Sequence, residues 1–403
     1  MVKKHILILN WQFPPNQGIG GRRSAKLAKE WKALGHDITI VTQATKNDGN
    51  GSQNWINEET IQSFDYHFID EKNHFNALYF RSGFINSIKL WILKKWHGAF
   101  TPGNPIDDCR FAGSAISKIL RTIHSQKPID LLFVSSAPFS LSVYASRFKK
   151  THPEIQLWCD FRDPWMKAVN YGLQMLNNRQ REAESGFQKE VALHSDFLSA
   201  PYGAILDEFD TTQSQAKKIC IPHFTDRPLT LKIQPSLSDT PLFTYAGNLY
   251  EGSMPFIQSA LKMLNGLPSE QQPHLQFIGN FSISNQKEMV KQYNKISFTP
   301  WQDQGLNHYL ECSQGLIILL SEDNQDFHTT KFYDFLPLGK PYLYIGPKGK
   351  VLKTIEDNNL GCSLEQYNSN SLMSYNPEKA MQLARKHTAE TMALTILNHV
   401  FPE

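Results

Sequence analysis

The chain has 403 residues, of which 40% are hydrophobic and 20% charged, and its 41 basic and 38 acidic side chains leave a formal net charge of +3. That length suits two domains, the composition suits packed cores, and the near balance of charge excludes a dedicated nucleic-acid binder. Five scattered cysteines (Cys109, Cys159, Cys220, Cys312 and Cys362) with no C-x-x-C pair exclude a disulfide framework and a zinc site, and fit a reducing cytoplasm.

In chain order, Ile6–Leu9 reads as a short buried strand. It is too brief for the core of a signal peptide, and Pro14-Pro15 and a glycine cluster follow it. No later run reaches the roughly 18 apolar residues of a membrane span. Gly18-Ile19-Gly20-Gly21 is a loop. Arg22–Leu34 is a helix with Leu27, Ala28, Trp31 and Leu34 on one face, Gly35 stops it, and Ile38–Val41 is the next strand. Residues 44–60 read as a polar loop and 64–108 as irregular and rich in aromatics. Within the latter, Phe80–Phe100 alternates lysines with Trp91, Ile92 and Trp96. This is the pattern of an interfacial, membrane-facing helix or of a buried helix with snorkelling lysines.

A helix is predicted over Ala112–His124, a strand over Leu131–Ser135, a helix over Leu141–Lys150 and a strand over Gln156–Asp160. A polar helix over 178–194 and a short strand Asp196–Ala200 follow, then a strand Ile219–His223 that enters a linker at 225–240. A second series has strands at Leu242–Ala246, Leu275–Ile278, Ile296–Phe298, Leu316–Leu320 and Tyr342–Ile345, and ends in a helix over Pro377–Val400. Alternating strands and helices in both halves predict an α/β protein of two doubly wound, Rossmann-like domains facing one cleft.

Open parallel sheets bind ligands beyond the carboxyl ends of their strands, and four segments qualify. The first is Gly18-x-Gly20-Gly21-Arg22-Arg23, where glycines admit a ligand to the backbone and the arginines offer charge to phosphate or carboxylate. It is not a dinucleotide fingerprint, because Arg23 replaces the third glycine and the second strand ends Val41-Thr42-Gln43 without an acid. Its alternative is a tight turn with solvated arginines. The second is Asp160-Phe161-Arg162-Asp163-Pro164-Trp165, where Asp163 suits a sugar hydroxyl and Arg162 an anion, with an internal Asp–Arg pair as the alternative. The third is Tyr245-Ala246-Gly247-Asn248, echoed by Gly279-Asn280, with plain turn chemistry as the alternative.

The fourth segment runs from Asp326 through Thr330, Lys331 and Asp334 to Gly339-Lys340-Pro341. Its hydroxyls, backbone amides and Lys331 suit a diphosphate, and Asp334 suits ribose hydroxyls. The alternative is a surface pair between Lys331 and Asp334. The 14 histidines form no H-x-x-x-H or H-E-x-x-H, and neither a G-x-S-x-G elbow nor a Walker A loop occurs. No metal is expected.

Together these segments, with Gly35-His36-Asp37-Ile38-Thr39 and Ser135-Ser136-Ala137-Pro138, resemble the GT-B-fold glycosyltransferases in order and spacing over nearly the whole chain. Specifically, they resemble the retaining, family-4-like group that uses nucleotide sugars. The resemblance implies an acceptor-binding domain at 1–224, a donor-binding domain at 225–385 and a C-terminal helix at 386–403 packing back on the N-domain. It implies donor contacts from Gly20, Gly21, Arg22, Gly247, Asn248, Thr330 and Lys331. The two glutamates of the family motif fall on Asp326 and Asp334, both shortened, with Asp334 at the ribose. The basic pair of many relatives is replaced by Asn248-Leu249-Tyr250-Glu251-Gly252, which leaves the diphosphate to Lys331, Arg22 or Arg23.

Asp163, with Arg162, is assigned to sugar or acceptor contact, since the retaining group carries no firmly expected protein nucleophile. The implied activity transfers a sugar from a nucleotide sugar, a substrate rather than a cofactor, to a saccharide or lipid-linked acceptor. The implied setting is bacterial surface-polysaccharide synthesis in the cytoplasm or at the inner face of the membrane. A non-catalytic nucleotide-sugar-binding scaffold and a UDP-sugar epimerase are the alternatives.

Overall fold

The computed structural model describes residues 2–16, 19–44, 62–71, 73, 75, 84–167, 171–229, 241–249, 251–301, 305–368 and 375–402. Gly18, Tyr250, most of the polar loop expected at 44–60, the stretch 80–83 and most of the linker expected at 225–240 lie outside them. The chain divides into two units, one made of Met1–Pro222 with Met392–Glu403 and the other of His223–Thr391.

The first unit is a parallel sheet of β1 (His5–Leu9), β2 (Asp37–Gln43), β3 (Asp65–Ile69), β4 (Leu131–Ser136), β5 (Gln156–Phe161), β6 (Phe197–Ala200) and β7 (Lys217–Cys220). The spatial order is β3-β2-β1-β4-β5-β6-β7. Leu7 of β1 is in register with Thr39 of β2 on one side and with Leu132 of β4 on the other. Its helices are α1 (Arg22–Ala33), α2 (Phe84–Phe100), α3 (Gly113–Gln126), α4 (Ser140–Thr151), α5 (Asn178–His194) and α6 (Gly203–Leu206). β1 and β4 are buried at every position, as expected of strands covered on both faces. One face gathers Leu7, Leu9, Leu132, Val134, Leu157 and Cys159 into a core. On the other, Trp31 of α1 meets Phe133 edge to face at 5.3 Å.

The second unit repeats the plan with β8 (Leu242–Ala246), β9 (His274–Ile278), β10 (Ile296–Thr299), β11 (Gly315–Leu319), β12 (Tyr342–Ile345) and β13 (Gly361–Ser363). These are parallel in the order β10-β9-β8-β11-β12-β13. Its helices are α7 (Met254–Asn265), α8 (Ile283–Gln292), α9 (Leu306–Cys312), α10 (Thr330–Phe335), α11 (Lys350–Asp357) and α12 (Pro377–Lys386). Separate cores cover its two faces, one around Ile318, Phe332 and Tyr342 and the other around Phe243, Ile257 and Leu343. A last helix, α13 (Ala389–Val400), lies mostly in the first unit, where the Trp31 indole donates to Ala393 O at 3.1 Å.

Both sheets are doubly wound, so the expected fold class holds. β3 and β13 were not anticipated, and the strand expected at Ile219–His223 lies at Lys217–Cys220. All three are edge strands. An edge strand is bonded on one side only and needs no unbroken apolar run: β3 is mainly exposed or half-buried, as is β7. The single helix expected over Pro377–Val400 is two helices, α12 and α13. At the break the backbone bonds to Thr225 instead: Thr225 N donates to His387 O at 2.9 Å and Ala389 N to Thr225 O at 2.7 Å.

Candidate functional site

Each sheet reverses its winding at one point, between β1 and β4 in the first unit and between β8 and β11 in the second. The loops that leave adjacent strands in opposite directions open a crevice there. Candidate residues that the sequence could only name separately are gathered at these two places.

In the first unit the loop after β1 is held from within. Asn10 Nδ2 donates to Gly20 O at 3.2 Å and to Ser24 Oγ at 2.8 Å, and Gly20 N donates to Gln12 Oε1 at 3.1 Å. Gly20 and Gly21 are tolerated because no side chain fits. A Cβ on Gly21 would collide with Gln12 O. One on Gly20 would collide with the Gln12 amide and lie 2.9 Å from both terminal nitrogens of Arg162. Arg162 follows β5 and arches over the loop after β4, where it donates to Ala137 O at 2.9 Å. Its buried Nε has no acceptor among the described residues. The first and second sequence segments therefore meet at a partly unsatisfied guanidinium. Asp163 faces elsewhere, accepting the Tyr171 hydroxyl at 2.7 Å.

The two arginines that the first segment offered together, Arg22 and Arg23, are not equivalent. Arg22 is half-buried at the start of α1. Arg23 is neither solvated nor available to a ligand. It donates to both Asp160 oxygens at 2.8 and 3.2 Å, to Pro222 O at 2.9 Å and to Ile221 O at 2.7 Å. Asp160 also accepts from Ser199 Oγ at 2.6 Å. The internal Asp–Arg pair anticipated for the second segment thus exists, but its arginine comes from α1. It ties α1 to β5 and to the chain after β7.

In the second unit the third and fourth segments meet through Lys331. Its ammonium donates to the Tyr245 hydroxyl at 2.9 Å and lies 4.3 Å from that ring's centre. Tyr245 in turn donates to Asn248 O at 2.6 Å. Gly247, with φ of +142°, leaves room for the lysine tip, since a Cβ there would collide with Lys331 Nζ. Burial pushes the Lys331 ammonium down to about 8. Among the described residues no carboxylate pairs with it. A half-buried, desolvated cation with a phenol as its partner carries a desolvation cost.

The acids behave less uniformly. Asp334 is 5% exposed, on the buried side of α10 with Phe332 and Phe335, so the surface pair with Lys331 is not what forms. Asp326 is exposed and accepts the Lys350 amide at 2.9 Å, capping α11, a role the sequence gave no hint of. Thr330 opens α10 and is half-buried. His328 bonds Thr354 Oγ1 at 2.8 Å, and burial, with His387 and Lys350 nearby, pushes it down to about 4. Sequence reasoning gave Tyr245, named only as part of the third segment, no role of its own, and missed Gln12. The signal for Tyr245 was present, since it stands two residues before Gly247 at the carboxyl end of a central strand.

No protein-family model matches the chain, and no curated protein matches it in sequence. In fold it is similar to a glycosyltransferase from Rickettsia africae ESF-5, at a TM-score of 0.63 and 14% identity over 100% of both chains. It is similar to the lipopolysaccharide outer core galactosyltransferase WaaB, at 0.58 and 11% over 99% of both. It is also similar to a sucrose-phosphate synthase from Thermosynechococcus elongatus, at 0.59 and 12% over 98% of this chain and 97% of that one. The fold is therefore that of the GT-B glycosyltransferases.

Proposed function

We propose that this protein is a retaining glycosyltransferase that moves a hexosyl group from a nucleotide sugar to a saccharide or lipid-linked acceptor. The proposed setting is the cytoplasmic stage of bacterial surface-polysaccharide synthesis. The observation that carries the reading is Lys331, a desolvated ammonium without a carboxylate at the switch point of the second sheet. A diphosphate supplies the missing charge, with Gly247 giving it access to the backbone. In this reading Lys331 stabilises the negative charge that gathers on the diphosphate as the glycosidic bond breaks. Asp334 takes the ribose hydroxyls and Asp326 the transferred sugar, for which Asp326 gives up its cap on α11. In the first unit, Gly20, Gly21, Arg22, Arg162 and Asp163 serve the sugar and the acceptor. No metal takes part.

The test is a thermal-shift panel of UDP-, GDP-, ADP- and dTDP-sugars on wild type, Lys331→Met and Asp334→Ala. A ligand that binds only the native state raises the melting temperature by mass action. A shift with one nucleotide that both variants lose supports the donor site, and acceptor screening with that donor then tests turnover. A shift of equal size in Lys331→Met would overturn the site. Donor binding without transfer to any acceptor would favour the scaffold reading.

A further inference from the structure

Helix α2 leaves an apolar stripe uncovered. Trp91 is 58% exposed, Ile92 54%, Trp96 53% and Phe100 68%, with Ile88 at 46%. At about 100° per residue, the side α2 turns toward its own unit carries Leu90, Leu93 and His97, and Ile88, Trp91 and Ile92 fall on the opposite side. Trp96 continues the exposed stripe toward the C-terminus, whereas Phe100, though exposed, falls beside Leu93 on the projection and outside the stripe. His97 is buried and packs against Phe75 at 4.6 Å. The last carbonyls of α2 are held by α5 and its cap: Asn177 Nδ2 donates to Gly98 O at 3.0 Å, Arg179 to Ala99 O at 2.6 Å and Gln180 Nε2 to His97 O at 3.3 Å. The helix is thus fixed on one side while its largest side chains project from the other. A soluble surface seldom leaves so much contiguous apolar area bare.

The charges accompanying the stripe are of one sign. Phe84–Phe100 contains no aspartate or glutamate, and it carries Lys89, Lys94 and Lys95. On the helical projection Lys89 and Lys94 mark the margins of the stripe. Lys95 lies within it, folded over the Trp91 ring at 4.0 Å. Exposed tryptophans flanked by lysines suit the boundary between lipid headgroups and acyl chains. At 17 residues, α2 does not cross a bilayer, and among the described residues no helix is long and apolar enough to do so.

We propose that α2 docks this protein flat on an anionic lipid surface, with Ile88, Trp91, Ile92 and Trp96 inserted at headgroup depth and the lysines over the phosphates. This surface is distinct from Lys331 and needs no nucleotide sugar, so its failure and the failure of the donor site are separately visible.

Flotation of the full chain with vesicles tests it, using phosphatidylcholine alone and mixed with phosphatidylglycerol. The expected result is binding to the mixed vesicles only, weakened about fivefold for each lysine replaced by glutamine, and lost in Trp91→Ser/Trp96→Ser. Brominated acyl chains should quench the fluorescence of wild type, and quench Trp91→Phe/Trp96→Phe much less. The melting temperature and any nucleotide-induced shift should be unchanged in these variants. Two results would overturn the proposal. One is wild-type protein that stays with neither vesicle. The other is wild-type protein that self-associates in ultracentrifugation while the Trp91→Ser/Trp96→Ser variant is monomeric, which would make the stripe an interface between copies of this chain.

Discussion

At the scale of single residues, the difference between a structural cation and the cation proposed to meet a diphosphate is one of satisfaction. Arg23 spends its guanidinium on buried Asp160 and on the carbonyls of Ile221 and Pro222. Arg23→Ala leaves Asp160 charged in the interior and should cost about 3–5 kcal/mol, read as a large fall in melting temperature. Lys331 predicts the reverse. Replacing a half-buried ammonium that has no carboxylate partner by the similarly shaped Lys331→Met should raise the melting temperature, equivalent to about 1–3 kcal/mol, and abolish the nucleotide shift. A fall on Lys331→Met would instead make the lysine a prop for Tyr245.

The pH dependence has a definite sign. The folded lysine loses its proton near 8 and the unfolded one near 10.5. Between those values the unfolded chain binds more protons, so this group's contribution to stability rises with pH there. Anion binding needs the ammonium, so nucleoside-diphosphate affinity should hold below about 8 and decline above it. Calorimetric titration across pH 7 to 10 checks this. The sequence named Arg22, Arg23, Arg162 and Lys331 correctly as charges near strand ends. It could not rank them, because satisfaction depends on partners such as Asp160, Ile221 and Tyr245 that lie far away along the chain.

At the scale of elements, periodicity found the central strands and one edge strand, β10. β1, β4, β8 and β12 are covered on both faces and written as apolar runs. β3, β7 and β13 sit at edges, where one side has no partner strand and a run such as Asp65–Ile69 is free to carry polar residues. The same logic governs the glycines. Gly20 and Gly247 are needed by what passes beside them, Arg162 and Lys331, rather than by a turn alone. Gly20→Ala should therefore displace Gln12 and Arg162, and lower turnover at least tenfold with a loss of stability within the usual few kcal/mol. Circular dichroism alongside the assay separates the two effects.

At the scale of the whole molecule, two sheets that share the order of their first six strands each put one partly satisfied cation at the switch point. Hydrogen exchange gives the corresponding prediction. A nucleoside diphosphate should protect the amides of Gly247–Asn248 and those around Lys331, while amides in the core of the first sheet, such as those of β1, stay as they were. Protection centred on the loop after β1 instead would assign the diphosphate to the first unit. The fold likeness to glycosyltransferases at 11–14% identity shows how little sequence this architecture demands. Alternation of apolar strands and amphipathic helices suffices for it.

The sequence by itself determined the repeated α/β plan, the two-unit size and the central strands, and it named the strand-end segments proposed to bind ligands. Those follow from local pattern, because burial on two faces and helical periodicity are both written within a few residues. Only the tertiary structure decided which arginine is spent, that Asp326 caps α11 and Asp334 is buried, and that α2 presents its tryptophans to solvent. A side chain's pairing and exposure depend on what the fold brings against it from elsewhere in the chain, and no local pattern records that.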